Sequence, residues 1–212
     1  MPRPDRPELH LVTDARLPRP ALLRAVGAAA ANGVDWVQVR DHRAPSRELF
    51  DLVQEVVGLC RPLGVRVAVS DRLDVALAAG TDGVQLGGES LPVEAARRVA
   101  TGLLVGVSVH RAEDAARAAA AGADWVTFGH VFPTASHPGE TPRGLAELAR
   151  VVQAVGIPVI AIGGIGPSQV AAAITAGASG VAVISAILDA PDPTRAAAEL
   201  RWALAESARQ WR

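Results

Sequence analysis

Short apolar runs that end in a polar residue or a glycine recur along the whole chain, and alanine-rich segments with helical spacing lie between them. Read as strands, the runs are Leu9–Asp14, Trp36–Arg40, Arg66–Asp71, Gly83–Gly87, Leu104–His110, Trp125–Phe132, Val159–Gly164 and Val181–Ser185. The intervening segments Ala21–Asn32, Ser46–Arg61, Glu94–Ala100, Ala112–Ala121, Leu145–Val155 and Ser168–Ala176 read as helices, and Thr194–Arg212 as a last one. Asn32-Gly33, Ala121-Gly122 and Ala176-Gly177 each stop a helix just before a strand, where glycine takes the left-handed cap conformation. Pro92 and Pro167 stand at helix starts, where a missing N–H costs little.

Alternating strands and helices predict a parallel sheet. Val159–Ile162 is apolar on both faces, as a strand between a packed interior and a ring of helices must be. Eight strands favour a closed barrel, so the expectation is an α/β chain forming a single (β/α)8 TIM barrel over residues 1–212. The longest irregular segment is Pro133–Arg143.

Functional groups on such a barrel come from the carboxyl ends of the strands. That rule selects Asp14, Arg40, Asp71, Gln85, Ser108, His110, His130, Gly163-Gly164 and Ser185. Gly163, Gly164 and Ser185 end the seventh and eighth runs, where this fold usually holds a phosphate group against backbone amides. An imidazole such as His130, with a reference pKa of about 6.5, suits proton transfer in both directions; it equally suits a hydrogen-bonded strand end. Arg40 offers a planar fork for a carboxylate or phosphate, or else a salt bridge to Asp41 or Asp71. Asp71 and Glu89 are the carboxylates open to Mg2+, a weak pair in isolation. His137 reads as a solvated residue or part of a lid.

Composition narrows the chemistry. The net charge is -1 with no basic run, which argues against nucleic acid as a partner. No apolar stretch approaches the roughly 20 residues of a membrane span. Nor does the start, Met1 to Pro7, resemble a secretion signal, and a cytoplasmic protein is expected. Cys60, the single cysteine, falls in an amphipathic helix and reads as packing. All 21 basic residues are arginine. The absence of lysine excludes Schiff-base chemistry and lysine phosphate clamps such as the P-loop.

Together the strand ends resemble the thiamin phosphate synthase/TenI family from about Leu9 to Pro193. The segments that carry the resemblance are Leu11-Val12-Thr13-Asp14, Gln38-Val39-Arg40, Ser70 to Leu77, Gly83 to Gly87, Gly106 to His110, Phe128 to Thr134 and Ala161 to Ile165. The resemblance implies a (β/α)8 barrel and a thiazole phosphate ligand. It also implies one of two activities: a synthase that joins a pyrimidine diphosphate to a thiazole phosphate with Mg2+, or a tautomerase that makes the carboxythiazole phosphate ring aromatic.

Departures from the synthase pattern decide the expectation. Where that pattern has Arg-Glu-Lys, Asn-Asp-Arg, Gln-Glu-Asp and Thr-Lys, this chain has Arg40-Asp41-His42, Ser70-Asp71-Arg72, Gly88-Glu89-Ser90 and Ser136-His137. Where the synthase usually has Gly-Pro, Gly129-His130 matches the tautomerase acid/base. The expected function is therefore a thiazole tautomerase (an isomerase) with His130 as proton carrier. Gly163, Gly164 and Ser185 would hold the phosphate; Arg40, Gln85 and Ser108 complete the substrate site, and no cofactor or metal is needed. The alternatives are the synthase, with Mg2+ on Asp71, and a non-catalytic binding protein that retains the phosphate site. A homo-oligomer is possible, and Trp202 and Trp211 of the last helix pack either on the barrel or on a partner.

Overall fold

The computed structural model describes residues 4–209. Eight parallel strands close into a barrel in chain order, with each strand paired to its sequence neighbours and β1 to β8. The strands are β1 (Glu8–Val12), β2 (Trp36–Val39), β3 (Arg66–Ser70), β4 (Gly83–Leu86), β5 (Leu104–Val109), β6 (Trp125–Phe128), β7 (Val159–Ile162) and β8 (Gly180–Val183). Around them run α1 (Arg19–Ala31), α2 (Ser46–Cys60), α3 (Leu73–Ala79), α4 (Val93–Val99), α5 (Ala112–Ala120), α6 (Gly144–Ala154), α7 (Pro167–Thr175), α8 (Ser185–Leu188) and α9 (Pro193–Ala208). All eight expected strands are present. Gly33, Gly122 and Gly177 take φ of 97°, 98° and 97°, the left-handed caps that the pattern requires. None of the described helices is long and apolar enough to cross a membrane.

Two short helices, α3 and α8, of 7 and 4 residues, are not among the expected segments. Consequently Ser185 is not a strand end but the first residue of α8. The sixth strand is also shorter than expected, ending at Phe128 instead of Phe132. Gly129 passes so close to β7 that an added Cβ would lie 2.5 Å from the Ile162 carbonyl. Beyond it, Val131 and Phe132 donate to the Ile162 and Gly163 carbonyls at 2.9 and 3.0 Å, following β7 as a turn.

The residue just before each even-numbered strand locks that strand to its predecessor. Asp35, Asp82, Asp124 and Ser179 donate their backbone N–H to the carbonyls of Leu9, Val67, Val105 and Val159 at 2.8, 2.9, 2.7 and 2.7 Å. Their side chains accept from the N–H groups of the same four residues at 2.8, 2.8, 2.7 and 3.4 Å. Each lock ends a repeated phrase: Gly33-Val34-Asp35, Gly80-Thr81-Asp82, Gly122-Ala123-Asp124 and Gly177-Ala178-Ser179. The glycine turns the chain out of its helix, and the acidic or hydroxyl side chain then fixes where the next strand starts.

The interior is filled in levels. Nearest the amino ends, buried Glu8 is paired with Arg66 and hydrogen-bonded to His10 at 3.1 Å. Burial alone would raise the Glu8 carboxyl, but the His10 bond and charge, with Arg66, outweigh it and the net shift is downward. Above this lie Trp36 and Trp125, ring centres 5.3 Å apart, packed with Val12, Ala68, Ile160 and Ala182. Gly106 leaves the room for Trp125, since a Cβ there would lie 2.1 Å from the indole. A larger apolar layer lies between strands and helices and includes Cys60, whose thiol burial pushes up to about 12, in keeping with a packing role. Trp202 is 67% exposed and so does not pack on the barrel; Trp211 lies outside the described residues.

The locks are testable at Asp82. Replacing it by alanine leaves the Val67 N–H without its carboxylate and should cost about 1.5–3 kcal/mol. Asp82→Asn keeps an acceptor and should recover most of that in urea unfolding.

Candidate functional site

Above the tryptophans the interior becomes polar. Gln38 Nε2 donates to Ser70 Oγ at 2.8 Å, Gln85 Nε2 to Ser108 Oγ at 3.0 Å, and Thr127 Oγ1 to Gln85 Oε1 at 3.4 Å. This belt is the floor of two chambers at the carboxyl ends of the strands, and Gln38, Arg40 and Ser108 line both.

The first chamber, about 320 Å³, is lined by Ser108, His110, His130, His137, Gly163, Gly164 and Ser185 among others. Most of the expected ligand-binding residues therefore meet there. The glycines are required sterically: Gly163 has φ 101°, and a Cβ on it would lie 2.3 Å from His130 Cβ. Gly164 has φ 66°, and its Cβ would lie 2.3 Å from the Pro133 carbonyl oxygen. The pair thus lets the β7 end pass beneath the segment that carries His130.

His130 is 5% exposed, and its Nε2 has no hydrogen-bond partner in the protein. It is preceded by a cis peptide bond from Gly129. The Gly129 carbonyl accepts from His110 Nδ1 and from Arg143 Nε, both at 2.8 Å. An oxygen acceptor places the proton of neutral His110 on Nδ1. His110 is therefore a brace for the turn before His130. The exposed His137 ring stacks on His130, centres 4.7 Å apart and planes 15° apart.

The second chamber, about 570 Å³, is lined by Arg40, His42, Asp71, Arg72, Gln85, Glu89 and Ser90 among others. Asp71 sits at φ 61°, a left-handed conformation that Asp tolerates better than most residues. Its Oδ1 accepts from the Gly87 N–H at 2.9 Å and from the Ser90 hydroxyl, and its Oδ2 faces His42 Nδ1 at 3.1 Å. Arg40 makes no ion pair among the described residues, so the salt bridge to Asp41 or Asp71 is not formed. Asp41 instead accepts from the Arg43 and Ala44 N–H groups. Arg72 is committed to Asp74 and Ser46.

Among the described residues no three His, Cys, Asp or Glu side chains form a self-sufficient metal cage. Asp71 beside the Ser90 hydroxyl nevertheless fits Mg2+, which takes one or two protein oxygens and draws its other ligands from water and substrate phosphates.

Of the expected strand-end groups, Asp14 lines neither chamber. Hydrogen bonds from Arg16 hold its carboxyl below the usual range. Gln38, Thr127, Thr134 and Ser136 line the first chamber without having been expected as site residues. Gln38 had a readable signal, a polar residue between two valines in an otherwise apolar strand. A further groove of about 630 Å³ beside α5 and α6 shares His110 with the first chamber.

Residues 9–187 match the family described as "Thiamine monophosphate synthase". The chain belongs to the thiamine monophosphate synthase family. It is 44% identical over 196 residues to a putative thiamine-phosphate synthase of Geobacter sulfurreducens, covering 91% of this chain and 92% of the relative. The thiamine-phosphate synthase of Pyrococcus horikoshii is 40% identical over 194 residues, 92% and 93% of the two chains. A solved thiamine phosphate pyrophosphorylase from Pyrococcus furiosus superposes with a TM-score of 0.87 at 39% identity, over 94% of this chain and 96% of that one.

These relatives make the chain an enzyme of thiamin biosynthesis and overturn the expected isomerase. The expectation treated each lost lysine as a lost charge. The chamber instead keeps Arg40 without an ion pair and places His42 against Asp71, with the Ser90 hydroxyl where the synthase pattern has a carboxylate.

The Gly163 close pass gives a direct test. Gly163→Ala should cost about 1–3 kcal/mol from its positive φ and the contact with His130. The loss is read by thermal unfolding of the variant beside wild type.

Proposed function

We propose that the protein is a thiamin phosphate synthase, a transferase that joins a hydroxymethylpyrimidine diphosphate to a thiazole phosphate and releases pyrophosphate. The observation that carries the reading is the pair of chambers joined through Gln38, Arg40 and Ser108, a shape suited to two substrates. An isomerase needs only one. Relatives at 39–44% identity named for this activity support it.

In this reading the thiazole phosphate lies in the first chamber, its phosphate against Gly163, Gly164 and Ser185 and its ring against His130. The pyrimidine diphosphate lies in the second, its ring over Gln85 and its phosphates toward Arg40 and His42. Asp71 and Ser90 would hold magnesium, which when bound would neutralise charge on the diphosphate. The thiazole nitrogen donates its lone pair to the exocyclic carbon of the pyrimidine as the carbon–oxygen bond breaks, and the bonding pair leaves on pyrophosphate. No protein nucleophile is required, so an inert Cys60 and the absence of lysine are both compatible. The protein's share of the rate comes from alignment of the reacting atoms and from cations facing the leaving group.

The test is pyrophosphate release from the two substrates with Mg2+. Wild type should release pyrophosphate and form thiamin phosphate. Asp71→Asn should lower kcat/KM by about 10²–10³, typical of losing a group that stabilises transition-state charge, and raise the Mg2+ requirement. A folded wild type that releases none would overturn the reading.

A further inference from the structure

The turn that carries His130 is held along both of its backbone edges. On one edge Val131 and Phe132 donate to the Ile162 and Gly163 carbonyls at the end of β7. On the other edge three successive carbonyls accept from the return end of the loop between β6 and α6. Arg143 Nε donates to Gly129 at 2.8 Å, the Arg143 N–H to His130 at 3.0 Å and the Gly144 N–H to Val131 at 3.2 Å. Among the described residues the hydrogen bonds of 134–142 stay inside the loop, from His137 and Ser136 to Thr134 and from Glu140 to His137. Arg143 is therefore where the loop is tied back to the barrel, and it holds two of the three carbonyls, one with its side chain and one with its backbone.

This grip acts on the first chamber from outside. Arg143 lines neither chamber, makes no ion pair among the described residues, and has its side chain engaged with the protein's own backbone. Inside, His130 makes no side-chain hydrogen bond among the described residues, and its Nε2 is buried without a partner. The direction of its ring follows from its backbone and its packing. A Cβ on Gly163 would lie 2.3 Å from His130 Cβ, so the two residues already touch and a displaced His130 presses on the glycine pair.

We propose that Arg143 is a positioning residue for the first chamber: by holding the Gly129 and His130 carbonyls it sets the place of the His130 ring and of the Gly163 end of β7. The proposal rests on the reading that this chamber takes the thiazole phosphate. What acts is the N–H donor at Nε, not the positive charge, because the group is turned away from the ligand. His110 Nδ1 reaches the same Gly129 oxygen, so that oxygen keeps a donor when Arg143 is changed, and the barrel still folds. The second chamber, lined by none of Gly129, His130 and Gly163, does not depend on the grip.

Side-chain length separates the donor from the charge. Arg143→Gln puts an uncharged amide N–H donor at the same number of bonds from the backbone as Nε, whereas Arg143→Met puts a methyl group there. The experiment is calorimetric titration of thiazole phosphate, and separately of magnesium pyrophosphate, into wild type and both variants. Arg143→Met should bind thiazole phosphate about tenfold more weakly, a factor typical of one hydrogen bond, and magnesium pyrophosphate as wild type does. In turnover its KM should rise for the thiazole phosphate and not for the pyrimidine diphosphate. Arg143→Gln should recover most of the loss. Unchanged affinity in Arg143→Met, an equal loss for both ligands, or no recovery in Arg143→Gln overturns the positioning role and leaves the synthase reading standing. The expected binding pattern without pyrophosphate release by wild type sinks the synthase and leaves the positioning role. Failure of folded wild type to bind thiazole phosphate overturns both.

Discussion

The architecture depends on the register between odd and even strands, set by four residues that each hold both backbone groups of one partner, its carbonyl through a backbone N–H and its N–H through a side-chain oxygen. In a strand, successive side chains face opposite ways, so a one-residue slip would exchange the interior set for the helix-facing set. With Asp35, Asp82, Asp124 and Ser179 in place, Trp36 and Trp125 meet inside the barrel and fill its middle. The polar belt of Gln38, Ser70, Gln85, Ser108 and Thr127 then lies above an apolar plug instead of water. Strand-end groups face a closed floor and an open mouth, which concentrates the chemistry at one end of the barrel.

The mouth carries its positive charge without a lysine. Arginine keeps its charge at every physiological pH, whereas histidine carries one only when its surroundings favour it. One chamber sets the permanent cations Arg40 and Arg72 among the carboxylates Asp41, Asp71 and Glu89. In the other, Arg40 again supplies the fixed charge beside His110, His130 and His137, and no carboxylate lines it. The two chambers thus differ in how they meet negative charge, and Arg40 stands where they join.

Much of the barrel could be read from the sequence, because apolar runs of four to six residues alternate with helical segments at a regular pitch. The candidate residues were legible for the same reason: once strands are placed, their ends follow. The reading failed where local geometry has no period. Nothing in Trp125–Phe132 announces that the strand stops at Phe128; the cause is the approach of Gly129 to Ile162, a contact across more than thirty residues. The stack of His137 on His130 is likewise a loop returning over its own strand end. By contrast, the Gly-x-Asp phrase before successive even strands was present to be read as an internal repeat and was passed over as three glycine caps. The activity was misjudged because residue identity was read as residue function. A chamber can change several side chains of a family pattern while the chain as a whole stays with the relatives named for the other activity.

Simultaneous occupancy of the two chambers is the claim most directly open to measurement. Thiazole phosphate would be titrated calorimetrically into the protein already saturated with magnesium and pyrophosphate. The account predicts that one equivalent of thiazole phosphate still binds, with affinity unchanged or raised, because the phosphate cradle and the Asp71 side are separate. Competitive displacement of one ligand by the other would show that the mouth holds a single anion and would contradict it.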